Sequence, residues 1–168
     1  MHKLVILRGN SGSGKTSTAK GLQSLFGKNT MLISQDVVRR EMLKVSDGEN
    51  NPAMPLMMEL LKYGSEHCEV VVLEGIMVSK WYRPLFELAV MIYGTDIYSY
   101  YFDIPFEETI KRHMMKSNCN EYGEEEMRSW WVDRDYSSAL QEEAITAEED
   151  QESILKRIYL DVTGANMI

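Results

Sequence analysis

Gly9-Asn10-Ser11-Gly12-Ser13-Gly14-Lys15-Thr16, entered from the apolar run Leu4-Val5-Ile6-Leu7, decides how this chain is read. The segment fills the pattern G-x-x-x-x-G-K-[ST], in which a strand feeds a loop and the loop feeds a helix. Glycines at 9, 12 and 14 let the backbone take positive φ and approach a ligand closely, so that successive N–H groups converge on phosphate oxygens. Lys15 supplies a point charge for the β- and γ-phosphates and Thr16 a hydroxyl for Mg²⁺. Asn10, Ser11, Ser13 and Ser17 complete the expected nucleotide-contacting set. Beyond Thr16, apolar residues recur at Ala19, Leu22, Leu25 and Phe26, a helical stripe whose N-terminus turns its partial positive charge toward the phosphates. A Gly/Ser-rich turn without chemistry would leave this strand-loop-helix context unexplained.

Working outward, 168 residues make one domain, 1–168, with room for a substantial core and none for a second domain of ordinary size. The 26 Asp and Glu outnumber 18 Lys and Arg, a net charge of −8 that opposes a broad phosphate-backbone surface. A polynucleotide partner is therefore not expected, and no apolar run is long enough for a membrane span. The short stretch between Lys3 and Arg8 is no signal-peptide core. Cys68 and Cys119 stand far apart without metal spacing and read as reduced thiols, so the expected location is the cytoplasm. The 12 methionines read as core filler.

The order of patterns is strand, helix, strand, helix. Thr30–Ser34 reads as a strand, Asp36–Val45 as a helix, and Ser46–Pro52 as a loop; a helix follows from Pro52 or Pro55 to His67. Val70–Gly75 is an uninterrupted β-branched run suited to a strand buried on both faces. Ser79–Tyr93 is a helix ended by Gly94, Ile97–Asp103 a Tyr-rich strand, and Pro105 to about Lys116 another helix. A polar segment containing Trp130 and Trp131 reads as a lid over about 114–136. A short strand near Glu143–Thr146 and a helix over about 147–162 close the chain. The alternation marks an α/β domain with a parallel sheet and right-handed crossovers.

Ligands of such sheets sit beyond the carboxyl ends of the strands, which singles out Asp36 and Glu74 beside the loop. Asp36 is placed to accept the proton of an attacking hydroxyl, or merely to cap its helix. Arg39 and Arg40, one turn on, can clamp an acceptor or form a solvated face. Glu74 can hold Mg²⁺ beside Thr16, directly or through water, or accept backbone N–H groups. Arg112 and Lys116 share a helix face, and with Arg128 in the lid they are candidates to neutralise charge that develops during phosphoryl transfer. His113 reads as structural. Trp130 and Trp131 can stack on a base or pack the lid onto the body, the second being the simpler role.

The phosphate loop, Ser-Gln-Asp-Val-Val-Arg-Arg at 34–40, Val-Val-Leu-Glu-Gly at 71–75 and Tyr-Phe-Asp-Ile-Pro-Phe-Glu-Glu-Thr-Ile-Lys-Arg-His at 101–113 together resemble the small P-loop kinases. Within them the likeness is to the group of polynucleotide 5′-kinase domains, zeta toxins and chloramphenicol phosphotransferase, some bacterial members of which are labelled uridine kinase. The resemblance spans roughly residues 3–135. It implies a P-loop NTPase fold with a five-stranded parallel sheet of order 2-3-1-4-5, helices on both faces and an arginine-bearing lid. It further implies an ATP-dependent phosphotransferase with Asp36 as base and Arg112 as phosphate contact. Where the group often has a second Arg this chain has Lys116, and it has Glu74-Gly75 where many P-loop proteins end the strand in Asp.

The resulting expectation is a kinase that moves the γ-phosphoryl group of Mg-ATP to a hydroxyl of a small acceptor. Lys15, Asp36 and Arg112 would be catalytic, Thr16 and Glu74 would position Mg²⁺, and Arg39 and Arg40 would hold the acceptor. A nucleoside is the first acceptor class, an antibiotic or sugar the next. The expected partners are that small molecule and at most a second copy of the chain, as monomer or homodimer. A nucleotide-dependent switch is the reading from another class.

Overall fold

The structure, a computed structural model, describes residues 2–115 and 122–165. Five strands, β1 (Lys3–Gly9), β2 (Thr30–Ser34), β3 (Val70–Gly75), β4 (Ile97–Phe102) and β5 (Glu142–Ile145), form one sheet in the order β2-β3-β1-β4-β5. Every pairing is parallel. The central β1 shows why its sequence is continuously apolar. Leu4 and Ile6 enter a core with α2 (Ala53–His67) and α3 (Ser79–Tyr93), whereas Val5 and Leu7 enter another with α1 (Lys15–Phe26) and α6 (Gln151–Thr163). All four side chains are fully buried, so truncating one, such as Ile6→Ala, would cost about 2–5 kcal/mol.

The remaining helices stand at the carboxyl ends of the strands. After β2 the chain turns into a π-helical segment, Val37–Leu43, rather than the ordinary α-helix expected over 36–45, and Lys44 ends it with φ of 54°. α4 (Phe106–Met114) follows β4, and α5 (Glu124–Ser129) lies inside the expected lid. Lys116 and Cys119 lie outside the described residues. β5 starts one residue earlier than expected and buries only Ile145 fully, since it pairs on one side alone. α6 starts later than expected because the Asp150 carboxylate accepts from Ser153 N at 2.8 Å, fixing the first turn there. Hydrogen bonding to that backbone N–H holds the Asp150 carboxyl below the usual range. Among the described residues no helix is long and apolar enough to cross a membrane.

Candidate active site

The loop between β1 and α1 is pressed under α4. At Gly12 the backbone takes φ of 76°, and a Cβ there would stand 2.7 Å from the Thr109 carbonyl oxygen. Only glycine admits both the left-handed turn and that approach. Lys15 is nearly buried, and its ammonium donates to the Asn10 carbonyl at 2.7 Å and to Ser13 Oγ at 3.2 Å. Arg112 reaches across from α4: its Nη1 donates to the Ser13 carbonyl at 3.0 Å while Glu108 holds Nε at 3.2 Å. The sequence thus separates Arg112 from the loop by nearly a hundred residues, and the fold lays it on the loop.

Glu74, at the end of the buried β3 and only 3% exposed, faces the same loop. Its Oε2 accepts from Thr16 Oγ1 at 3.3 Å and its Oε1 from Ser34 Oγ at 2.5 Å. A hydroxyl and a carboxylate within hydrogen-bond reach are hard oxygen donors of the kind Mg²⁺ takes. Among the described residues no group of three or more His, Cys, Asp and Glu could hold a metal ion.

A cleft of about 1140 Å³ opens over these groups and is lined by Gly12, Gly14, Lys15, Thr16 and Ser17 on one side and Asp36, Val37, Arg40 and Met42 on another. Glu74 and Ser34 form its floor. Asp36 has helical φ and ψ and its side chain caps nothing, which removes the cap as its reason to be there. Its carboxylate is 62% exposed and pairs with Arg39 Nη2 at 3.0 Å and Arg40 Nε at 3.8 Å. Of the two arginines expected to hold the acceptor, Arg40 lines the cleft and Arg39 does not. Arg39 folds inward to the Val45 carbonyl at 3.1 Å, a carbonyl left over where the π-helical segment ends.

Two further expectations are corrected. Arg128 is not brought to the loop: it pairs with Glu124 at 2.9 Å one turn away and lies over the Phe106 ring at 4.2 Å, facing outward. The neighbouring Met127 is the residue of α5 that packs beneath Gly12, so helical phase turns Arg128 away. The segment 131–136, expected to belong to the lid, is stapled to the body. Asn10 does not aim its amide at phosphate; it donates to the Val132 carbonyl at 2.7 Å and accepts from Val132 N at 3.0 Å. Trp131 packs edge-on against Phe106 with centroids 5.1 Å apart, a packing role.

Sequence reasoning missed three groups. Tyr122 lines the cleft, places its hydroxyl 3.2 Å from Ser11 Oγ, and stacks on His113 at 4.4 Å. Arg8, fully buried one residue before the loop, binds both Glu142 oxygens at 2.8 and 3.0 Å and Asp135 at 2.9 Å. A charge ending a buried apolar run was its signal, because such a charge demands partners. The third group is a buried network: Gln35 Nε2 donates to Tyr82 Oη at 2.8 Å and to Asp47 Oδ2 at 2.9 Å, and Tyr82 Oη donates to Asp47 Oδ1 at 2.8 Å. Burial first, and then the Asp47 charge, pushes the Tyr82 phenol far above its ordinary range. The network pins the 46–52 loop behind the cleft, and Gly75 is required because a Cβ there would meet Gln35 Oε1 at 2.4 Å.

No protein-family model matches the chain, and no curated protein does. Solved structures share its fold. A gluconokinase from Sinorhizobium meliloti superposes with a TM-score of 0.66 at 12% identity, covering 96% of this chain and 92% of that one. The Deinococcus radiodurans tunicamycin resistance protein gives 0.64 at 17% identity, covering 97% and 96%. The Mycobacterium tuberculosis APS kinase, solved with AMPPNP and APS, gives 0.63 at 19% identity, covering 98% of each chain. The fold is therefore that of the small P-loop kinases, with the sheet order 2-3-1-4-5.

Proposed function

We propose that this chain is an ATP-dependent kinase that phosphorylates a hydroxyl of a small acceptor. The observation that carries the reading is one cleft in which the phosphate loop, the Thr16–Glu74 pair and the exposed Asp36 carboxylate face each other. A site that only held nucleotide would need no carboxylate across from the phosphates. The loop amides and Lys15 bind the β- and γ-phosphates, and Arg112, steadied by Glu108, adds charge above the loop. Thr16 and Glu74 would hold Mg²⁺, which when bound neutralises phosphate charge. The acceptor oxygen gives its proton to Asp36 and forms the new bond to the γ-phosphorus; the bond from that phosphorus to the β–γ bridging oxygen breaks, and ADP carries away the electron pair.

Support for a kinase over a switch comes from the named kinases among the structural neighbours and from Asp36, which among the described residues pairs with its two arginines alone. A nucleoside or nucleoside-like acceptor heads the candidates; one neighbour is by name a tunicamycin resistance protein. The test is transfer of labelled γ-phosphoryl from Mg-ATP across nucleosides, antibiotics, sugars and a 5′-hydroxyl oligonucleotide. Lys15→Ala should abolish product. Asp36→Asn should lower kcat by about 10²–10⁴-fold with nucleotide affinity kept. Turnover indifferent to Asp36→Asn would refute the base assignment. Tight AMPPNP binding without product in any pool would favour the switch.

A further inference from the structure

Tyr122 enters the cleft from between α4 and α5, and its surroundings fix where its hydroxyl stands. Its ring stacks on His113 with centroids 4.4 Å apart and an interplanar angle of 22°, and Trp130 closes on it from another side at 5.2 Å. The Tyr122 carbonyl can only accept, so His113 Nε2 carries the hydrogen of the 2.8 Å bond between them. His113 is buried and follows Arg112 on α4, the helix pressed onto the phosphate loop. On the other side Gly123 N donates to Glu126 Oε2 at 2.9 Å, and Met127, 2% exposed, packs beside Gly12. Both helices that bear on the loop therefore hold this phenol in place.

The Tyr122 hydroxyl stops 3.2 Å from Ser11 Oγ, and the residue lines the cleft together with Gly12, Gly14, Lys15 and Thr16. A hydrogen bond between two neutral hydroxyls is weak, and one to a charged phosphate oxygen is about twice as strong. Hydroxyl protons rotate to suit their partner, so both groups can turn from each other to a phosphate laid on the loop. Neutral donors suit this place because Lys15 and Arg112 already bring positive charge to the loop. Arg128, the arginine expected to act from this segment, faces outward to Glu124 instead. A fixed donor that needs no rearrangement when phosphate arrives is what stabilisation of a transferring group calls for.

Resting on the kinase reading, we propose that Tyr122 contacts the nucleotide: its hydroxyl, with that of Ser11, donates to the γ-phosphoryl oxygens. The test needs no acceptor. Binding of AMPPNP and of ADP to the full chain, each with Mg²⁺, is measured by calorimetry. The two differ in the γ group, so a hydroxyl that grips this group is felt by one nucleotide and not by the other. Tyr122→Phe keeps the stacked ring and removes the donor. It should weaken AMPPNP by about tenfold or more and leave ADP within about twofold, the ADP affinity serving as the check that the loop is intact. Ser11→Ala removes the partner hydroxyl and should show the same selectivity. Equal weakening of both nucleotides by Tyr122→Phe would reduce Tyr122 to packing for the loop, and unchanged AMPPNP affinity would mean that its hydroxyl never meets the phosphate. Either result overturns the inference. A parent protein that binds neither nucleotide would instead overturn the kinase reading beneath it.

Discussion

Arg8 offers the sharpest test of how the site is held in place. It ends β1 directly before the loop, is fully buried, and makes bonds with four groups: Glu142 through Nη1, Asp135 and its backbone carbonyl through Nη2, and the Met77 carbonyl at 2.9 and 3.1 Å. The guanidinium also lies 4.9 Å from the Phe86 ring centroid. Arg8→Met keeps much of the apolar stem and removes every donor. Glu142, whose side chain is 1% exposed, then keeps among the described residues only the Ser137 N–H at 2.6 Å, while Asp135 retains Ser79. Breaking a buried pair in this way costs about 3–5 kcal/mol, a large share of the roughly 5–15 kcal/mol available to a domain. At about 2–4 °C per kcal/mol the melting temperature should fall by roughly 6–20 °C. Urea unfolding followed by circular dichroism measures the loss, with an unchanged slope showing that stability alone moved. The double variant Arg8→Met, Glu142→Met should recover part of it, because the stranded charge is gone. The exposed pair Lys62–Glu59 is the control, and Lys62→Ala should cost under about 1 kcal/mol. A loss below about 1 kcal/mol for Arg8→Met would refute the view that this cluster anchors β1, β5 and the 131–136 segment together.

Gly12→Ala forces a side chain into a left-handed turn 2.7 Å from the Thr109 carbonyl, so α4 must shift and take Arg112 with it. ATP-dependent turnover should drop by about 10²-fold or more, and near-parental kcat would show that Arg112 is not needed where it stands. Glu74→Gln removes the carboxylate beside Thr16 and should raise the Mg²⁺ concentration for half-maximal rate by about 10–100-fold; an unchanged Mg²⁺ dependence would dismiss its metal role. Burial holds Tyr101 at about 12 and lifts Tyr82, Tyr93 and Tyr100 higher still, against an ordinary value of 10.0. These raised values favour the protonated fold, so their stabilisation is complete below the ordinary value and disappears as pH rises through the folded one. Phenolate absorbance from these tyrosines should appear together with loss of circular dichroism at high pH, and smooth ionisation with the fold intact would contradict their burial.

The parts of this molecule legible from sequence are those whose physics is local. A strand buried on both faces must be apolar throughout, and Leu4–Leu7 and Val71–Leu73 show that directly. The loop announces itself through glycines and Lys15, and Asp36 and Glu74 follow from the rule that ligands sit past strand ends. What stayed hidden depends on contacts distant in sequence or on helical phase. Asn10 looked like a phosphate ligand because it belongs to the motif, but Val132, far along the chain, claims its amide. Arg128 looked like a lid arginine until α5 placed Met127 inward and left Arg128 to Glu124. The polar start of β5 obscured that strand, although Glu142 is polar because it answers Arg8.

The π-helical turn is the most consequential of these hidden features, because it shapes the cleft wall beside Asp36. An α-helix over the same residues would advance fewer residues per turn and set Arg40 or Glu41 beneath Val37. The wider turn adds Met42 to a wall that Arg40 and Glu41 also line, with Arg40 Nε 3.8 Å from the Asp36 carboxylate. A single residue inserted or deleted between Val37 and Leu43 would break this register. It should change which acceptor is phosphorylated before it changes nucleotide affinity, since Lys15, Thr16 and Glu74 are held by β1, α1 and β3 rather than by this turn.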